Sequence, residues 1–121
     1  MINNVLPIDN TLFTVPVSAG ILFIIVGAIL YKFPPKKINI IYGYRTVRSM
    51  KSKDRWDFAQ NYSAKQLITF GGVLAFLSTI GFVFQPNENT AKIISAVLIL
   101  SIVISIIYRV ETALGNRFQT K

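Results

Sequence analysis

The sequence predicts an all-α membrane protein: a single membrane domain over residues 1–121, with three transmembrane helices, the N-terminus outside, the C-terminus inside, and a structured basic cytoplasmic loop between helices 1 and 2. Three observations predict it. Apolar residues make up 52% of the chain and charged residues 15%, against roughly 25% charged in soluble domains. The windows 10–31, 66–87 and 93–108 carry no charge, and about 20 apolar residues are what a bilayer's hydrocarbon core demands of a helix. The 13 Lys and Arg, set against 5 Asp and Glu, gather on one side of those windows. A soluble bundle is excluded, because so short a chain cannot bury three helices that are apolar all round.

The first span, 12–31, holds twelve Ile, Leu, Val and Phe residues, which favour insertion by about 4–7 kcal/mol before its small and polar residues are counted. Pro16 is expected in its first turn, where a missing N–H does little harm. Lys32-Phe33-Pro34-Pro35 ends it, since two prolines cannot continue a helix. Residues 1–10 carry no Lys or Arg, and no small-residue cleavage pattern follows the apolar run. The span is therefore expected to be kept and not cleaved as a signal peptide.

The second span, 66–84, is expected to close at Gln85-Pro86-Asn87, and the third, 91–108, to start at Thr90 as N-cap and end at Tyr108-Arg109. The charge-free core of the third rises only about 24 Å, so Lys92 and Arg109 snorkel outward to lengthen it. The short connection between the two makes them an antiparallel hairpin. Small residues (Gly71 with Ala75, Ser101 with Ser105, and Gly20, Gly27 and Gly81) suit helix–helix contact within the chain, and the same pairs would serve a homodimer.

Orientation follows from the cations. Residues 32–65 hold nine, 109–121 hold three, Lys92 stands alone in the second loop and the N-terminal stretch has none. Basic loops stay in the cytoplasm. With no His and no Cys, a zinc site of the usual kind and His or Cys catalysis are excluded. No cofactor, no metal and no enzymatic activity are expected, and no direct contact with nucleic acid.

The loop 32–65 is the only segment outside the membrane with room for specific chemistry. Its first half starts extended, and Gly43 offers a turn or a close backbone approach. From Ser49 or Ser52 the pattern turns helical, with Ser52 as N-cap and Asp54 in the first turn. Trp56, Ala59, Gln60, Ser63 and Leu67 fall on one stripe. Nothing between Asp54 and Phe70 breaks the helix, which is expected to run into the second span with Trp56 near the headgroups, as an anchor or as a loop-packing residue.

The cluster Arg45, Arg48, Lys51, Lys53 and Arg55 reads either as an anion or partner site or as a topology signal that also attracts anionic lipid. Arg45 and Thr46, beside Gly43, either hold a phosphate or carboxylate, or Arg45 pairs with Asp54 or Asp57 and folds the loop. Asp54 and Asp57 share a helix face. Flanked by Lys53 and Arg55, they read as solvated ion pairs before they read as an acid–base couple. Asn39 and Asn61 suit backbone capping.

Asn39-Ile40-Ile41-Tyr42-Gly43-Tyr44-Arg45-Thr46, followed by Ser49-Met50-Lys51, Trp56 and Asn61, resembles the SdpI family of bacterial membrane proteins. That family carries a Gly-x-Arg-Thr element after a Pro-containing exit from one span, with a Trp and an Asn before the next. The resemblance implies a multi-pass protein of the bacterial inner membrane. Its implied role is immunity to a membrane-active toxin peptide, with signalling by holding a cytoplasmic repressor at the membrane. The founding member is about twice as long, and this chain looks like its C-terminal module. The positions carried over as anion- or partner-binding are Gly43, Arg45, Thr46, Arg48, Ser49, Trp56 and Asn61. The alternative reading is a membrane scaffold or lipid-responsive subunit that docks a cytoplasmic protein through the basic loop. Expected partners are thus the lipid bilayer, a toxin peptide and a cytoplasmic repressor.

Overall fold

The computed structural model describes residues 9–118. They form three helices: α1, Thr11–Lys32; α2, Lys53–Leu77, prolonged by a 3-10 turn, Ser78–Phe82; and α3, Glu88–Phe118. Each is long and apolar enough to cross a membrane. The N-terminal stretch 1–8 and Lys121, both counted in the charge balance, lie outside the described residues.

Asn10 opens α1 by accepting the Leu12 N–H at 3.0 Å. With the cap there, Pro16 falls in the second turn and not in the first as expected, so its ring removes the bond to the Leu12 carbonyl. Membrane helices accept such a residue where neighbours take up the strain, and Pro16 is buried. The helix stops as expected: Phe33 caps it with an N–H to the Ile29 carbonyl, and Pro34-Pro35 forbids another turn.

Ser52 caps α2 by accepting from the Arg55 N–H, and Asp54 sits in the first turn. The helix then runs unbroken from the polar segment into the apolar one. Its far end departs from expectation, because the α form stops at Leu77 and not near 84. The hydroxyls of Ser78 and Thr79 donate back to the carbonyls of Ala75 and Phe76. They compete there with the helical N–H groups, and the chain tightens into 3-10 geometry.

The start of α3 also differs. Asn87, not Thr90, is the capping side chain, accepting from the Thr90 N–H at 2.9 Å. The helix passes Arg109 and continues to Phe118. Charged residues end an apolar stretch, not a helix, and residues 109–118 contain no proline.

Packing follows the small residues. A Cβ on Gly20 would lie 2.6 Å from the Gly71 carbonyl oxygen, and one on Gly27 would lie 2.8 Å from the Ala64 carbonyl oxygen. Residue numbers fall on α2 as they rise on α1, so the two helices are antiparallel and their backbones nearly touch. Gly81 meets Phe13 in the same way. Ser101 by contrast is exposed. At the end of the bundle where α1 begins, Asn10 donates to the Gly81 carbonyl at 2.8 Å and Thr11 donates to Glu88 at 2.9 Å. At the opposite end, α2 and α3 are joined by Phe58 and Phe118 edge to face at 5.9 Å, with Arg117 over Phe58 at 5.2 Å and Arg55 over Phe118 at 5.3 Å.

Candidate functional site

The connection from α1 to α2 begins extended because Pro34 and Pro35 restrict it. It reverses at Asn39, whose side-chain oxygen accepts the N–H groups of Ile41 and Tyr42 at 2.9 and 2.8 Å. Tyr42 then donates its hydroxyl to the Phe33 carbonyl at 2.7 Å, tying the turn to the end of α1. Gly43 follows with φ +109°, in the left-handed region. A side chain there would also place Cβ 2.5 Å from Gln60 Oε1 and 2.8 Å from Pro35. Conformation and close approach both require glycine.

The next residues are clamped by two helices. From α2, the fully buried Gln60 accepts the Tyr44 N–H at 2.7 Å and donates to the Tyr44 carbonyl at 2.8 Å. Trp56, one turn earlier and fully buried, donates its indole N–H to the Pro35 carbonyl at 2.7 Å. Thr46 and Ser49 close a turn on each other. The Thr46 N–H donates to Ser49 Oγ at 2.9 Å, and the Ser49 N–H donates to Thr46 Oγ1 at 3.2 Å.

From α3 comes Glu111. One of its oxygens accepts the Tyr44 hydroxyl at 2.6 Å and the Thr46 hydroxyl at 2.7 Å. Arg48 donates to the Glu111 backbone carbonyl at 3.1 Å and lies 3.8 Å from the carboxylate. Gly115 makes room for that guanidinium, since a Cβ would sit 3.0 Å from Arg48 Nη1. Burial, and then the hydrogen bond and negative charge of Glu111, push the Tyr44 phenol above the ordinary tyrosine range.

The sequence-predicted residues thus divide. Gly43, Thr46, Arg48 and Ser49 come together in one clamp with Tyr44, and Trp56 lies beneath it. The carboxylate that Tyr44, Thr46 and Arg48 meet is the chain's own Glu111. The ring of Trp56 is fully enclosed and its indole N–H holds the Pro35 carbonyl, so of its two readings the packing of the loop is the one these contacts favour. Thr46 donates its hydroxyl to Glu111, and Arg45 pairs with neither Asp54 nor Asp57. It is exposed and donates to the Ile40 carbonyl, while Asp57 pairs with Lys53 at 2.7 Å. The reason is local: i,i+4 spacing favours Lys53 for Asp57, and Arg45 is held by the carbonyl of Ile40 within its own loop. Asn61 is exposed on α2, beside Asp54, Asp57 and Arg117. Sequence reasoning missed Glu111 and Tyr44. The available signal was that Glu111 is the single acid in the basic segment that follows the third span.

Residues 36–109 match the SdpI/YfhL protein family, a stretch that includes Gly43, Gln60 and the two spans after the loop. The chain belongs to the SdpI/YfhL family. It is 50% identical over 56 residues to the uncharacterized protein YfhL of Bacillus subtilis (strain 168). That similarity covers 46% of this chain and 51% of the relative, so the chain spans about half the length of the curated relative it matches. No solved structure matches. Glu111 lies two residues past the family-matched stretch, whereas the residues it holds, Tyr44, Thr46 and Arg48, lie within it.

Proposed function

We propose that this SdpI/YfhL-family protein resides in a bacterial inner membrane, with its N-terminus outside and its basic loop and C-terminus in the cytoplasm. It protects the cell against a membrane-active peptide and signals through the loop, acting by binding and not by catalysis. Orientation rests on the cations, since 12 of the 13 Lys and Arg belong to the loop side and the tail. The immunity role rests on family membership.

The observation that carries the signalling part is the anchorage of the loop on Glu111. The helix α3 is continuous from Glu88, which contacts Thr11 at the opposite end, to Glu111 at the loop. A peptide engaging the outer ends of the helices would move this rod and load the contacts of Tyr44, Thr46 and Arg48, about 35 Å away. A cytoplasmic repressor reading the loop would then be held or released.

Expression of the whole chain in a peptide-sensitive strain is expected to raise survival. Unchanged killing would reject immunity toward that peptide, and export of a reporter fused after Lys121 would reverse the orientation. The exposure of Arg45 favours a second reading, in which the loop is a scaffold that docks a cytoplasmic protein. In that case Arg45→Ala abolishes recruitment and leaves resistance intact.

A further inference from the structure

Near the loop, α1 and α3 leave a cleft of about 300 Å³ between them, at the lower end of the roughly 300–1,000 Å³ of small-molecule sites. Val26 and Leu30 line it from α1, Ser63 and Leu67 from α2 and Val103 and Ile107 from α3, and Tyr42 and Tyr44 cover it from the loop. The aliphatic residues from α1 and α3 belong to charge-free stretches that end at Lys32 and Arg109, so the cleft lies at the depth of the leaflet on the loop side. Its lining is almost wholly apolar. Water finds too few partners in such a space, and an empty groove forfeits dispersion contacts with whatever could fill it.

The loop beside the cleft has a surface of matching chemistry. Ile40, Ile41 and Val47 are 78%, 85% and 82% exposed, and Lys36, Lys37, Arg45 and Lys51 are exposed among them. Aliphatic side chains interleaved with cations characterise a segment that lies in the headgroup boundary of an anionic leaflet. Arg45 directly follows the roof residue Tyr44. One of its five N–H groups serves the Ile40 carbonyl, and a guanidinium has donors to spare for a phosphate.

We infer that the cleft holds one acyl chain of an anionic phospholipid whose phosphate rests on Arg45 and the neighbouring lysines, with Ile40, Ile41 and Val47 seated in the same leaflet. This requires only that the three helices cross a bilayer, and it is independent of the immunity reading.

The test uses the full chain in phosphatidylcholine nanodiscs containing tracer phosphatidylglycerol with a diazirine on one acyl chain. Adducts mapped after photolysis are expected on 26–30 of α1 and 103–107 of α3, in excess over the exposed stripe Ile93, Val97 and Leu100. Val26 and Ile107 are 42% and 43% exposed, so Val26→Trp and Ile107→Trp fill the mouth without disturbing the core. Each is expected to lower cleft labelling at least fivefold. Arg45→Ala is expected to lower labelling by the phosphatidylglycerol probe and not by its phosphatidylcholine counterpart. Adducts spread evenly over all exposed faces, unchanged labelling in both Trp variants, or equal labelling by the two lipids in every variant would each overturn the inference. So would disulfide-linked dimers of Ile107→Cys, in a chain that otherwise has no cysteine, because a second copy would then occupy the cleft.

Discussion

The seam between α1 and α2 and the clamp between the loop and α3 hold the molecule together by different physics. Along the seam, Gly20, Gly27 and Gly71 bring two backbones into contact. Lipid tails are as apolar as the helices, so association there depends on close packing alone. The clamp is polar: two hydroxyls and an arginine converge on one glutamate, and Gln60 fixes the backbone of Tyr44. A steric error should therefore disable the seam and a lost acceptor should disable the clamp, each leaving the other intact.

Substitutions on either side, and alkaline pH, separate them. The largest effect is expected from Trp56→Ala, which removes the aromatic support beneath the loop along with its bond to Pro35, at about 3–5 kcal/mol. Thermal unfolding followed by circular dichroism would read it, and a shift within error of zero would mean that the loop does not lean on Trp56. Gly20→Val comes next, at about 1–3 kcal/mol, because its Cβ meets the backbone of Gly71 and not a side chain that can turn away. Cysteine pairs placed across α1 and α2 should lose their crosslinking, while hydrogen exchange at 44–50 stays slow.

Glu111→Ala should do the reverse. Leaving the Tyr44 and Thr46 hydroxyls without their acceptor costs about 1–3 kcal/mol, felt as faster exchange at 44–50 with the α1–α2 crosslinks retained. Glu111→Gln, which keeps an acceptor oxygen, should lose less. If both variants exchanged like the parent, the clamp would not hold the loop. The smallest effect is alkaline. The phenol of Tyr44 is raised in the folded state, so its contribution is complete below the ordinary tyrosine value of about 10. It fades as pH climbs from there toward the folded value, because the unfolded chain releases the proton first. Tyrosinate absorbance should show a late-titrating phenol that Tyr44→Phe removes.

Much of this was legible beforehand, and for local reasons. The cap at Ser52, the acid at Asp54 and the stripe Trp56, Ala59, Gln60, Ser63 and Leu67 obey rules that span a few residues, and the helix has that cap and buries that stripe as far as Ser63, with Leu67 half-buried. Gly43 could be read as a turn or close approach, and it is both. The misses were also physical. Ser78 and Thr79 bond back to the helix and shorten its α form, which hydropathy does not register. Trp56 fitted an interfacial anchor or a loop-packing residue by composition, and only the folded loop over the polar stretch of α2 shows its ring enclosed. Glu111 looked like one acid in a basic tail, because its partner Thr46 is 65 residues away.

By itself the sequence determined that three helices are apolar enough for a membrane, where α1 ends and α2 is capped, and that the longest connection is basic. Those properties depend on the solvation of single segments and on hydrogen bonds within one turn. Only the tertiary structure decided that Glu111 reaches Tyr44, Thr46 and Arg48, that Arg45 is left outward, and that α1 and α3 part beside the loop to leave a cleft. Which remote groups meet depends on how the helices are rotated and spaced, and that is set by close contacts such as Gly20 on Gly71.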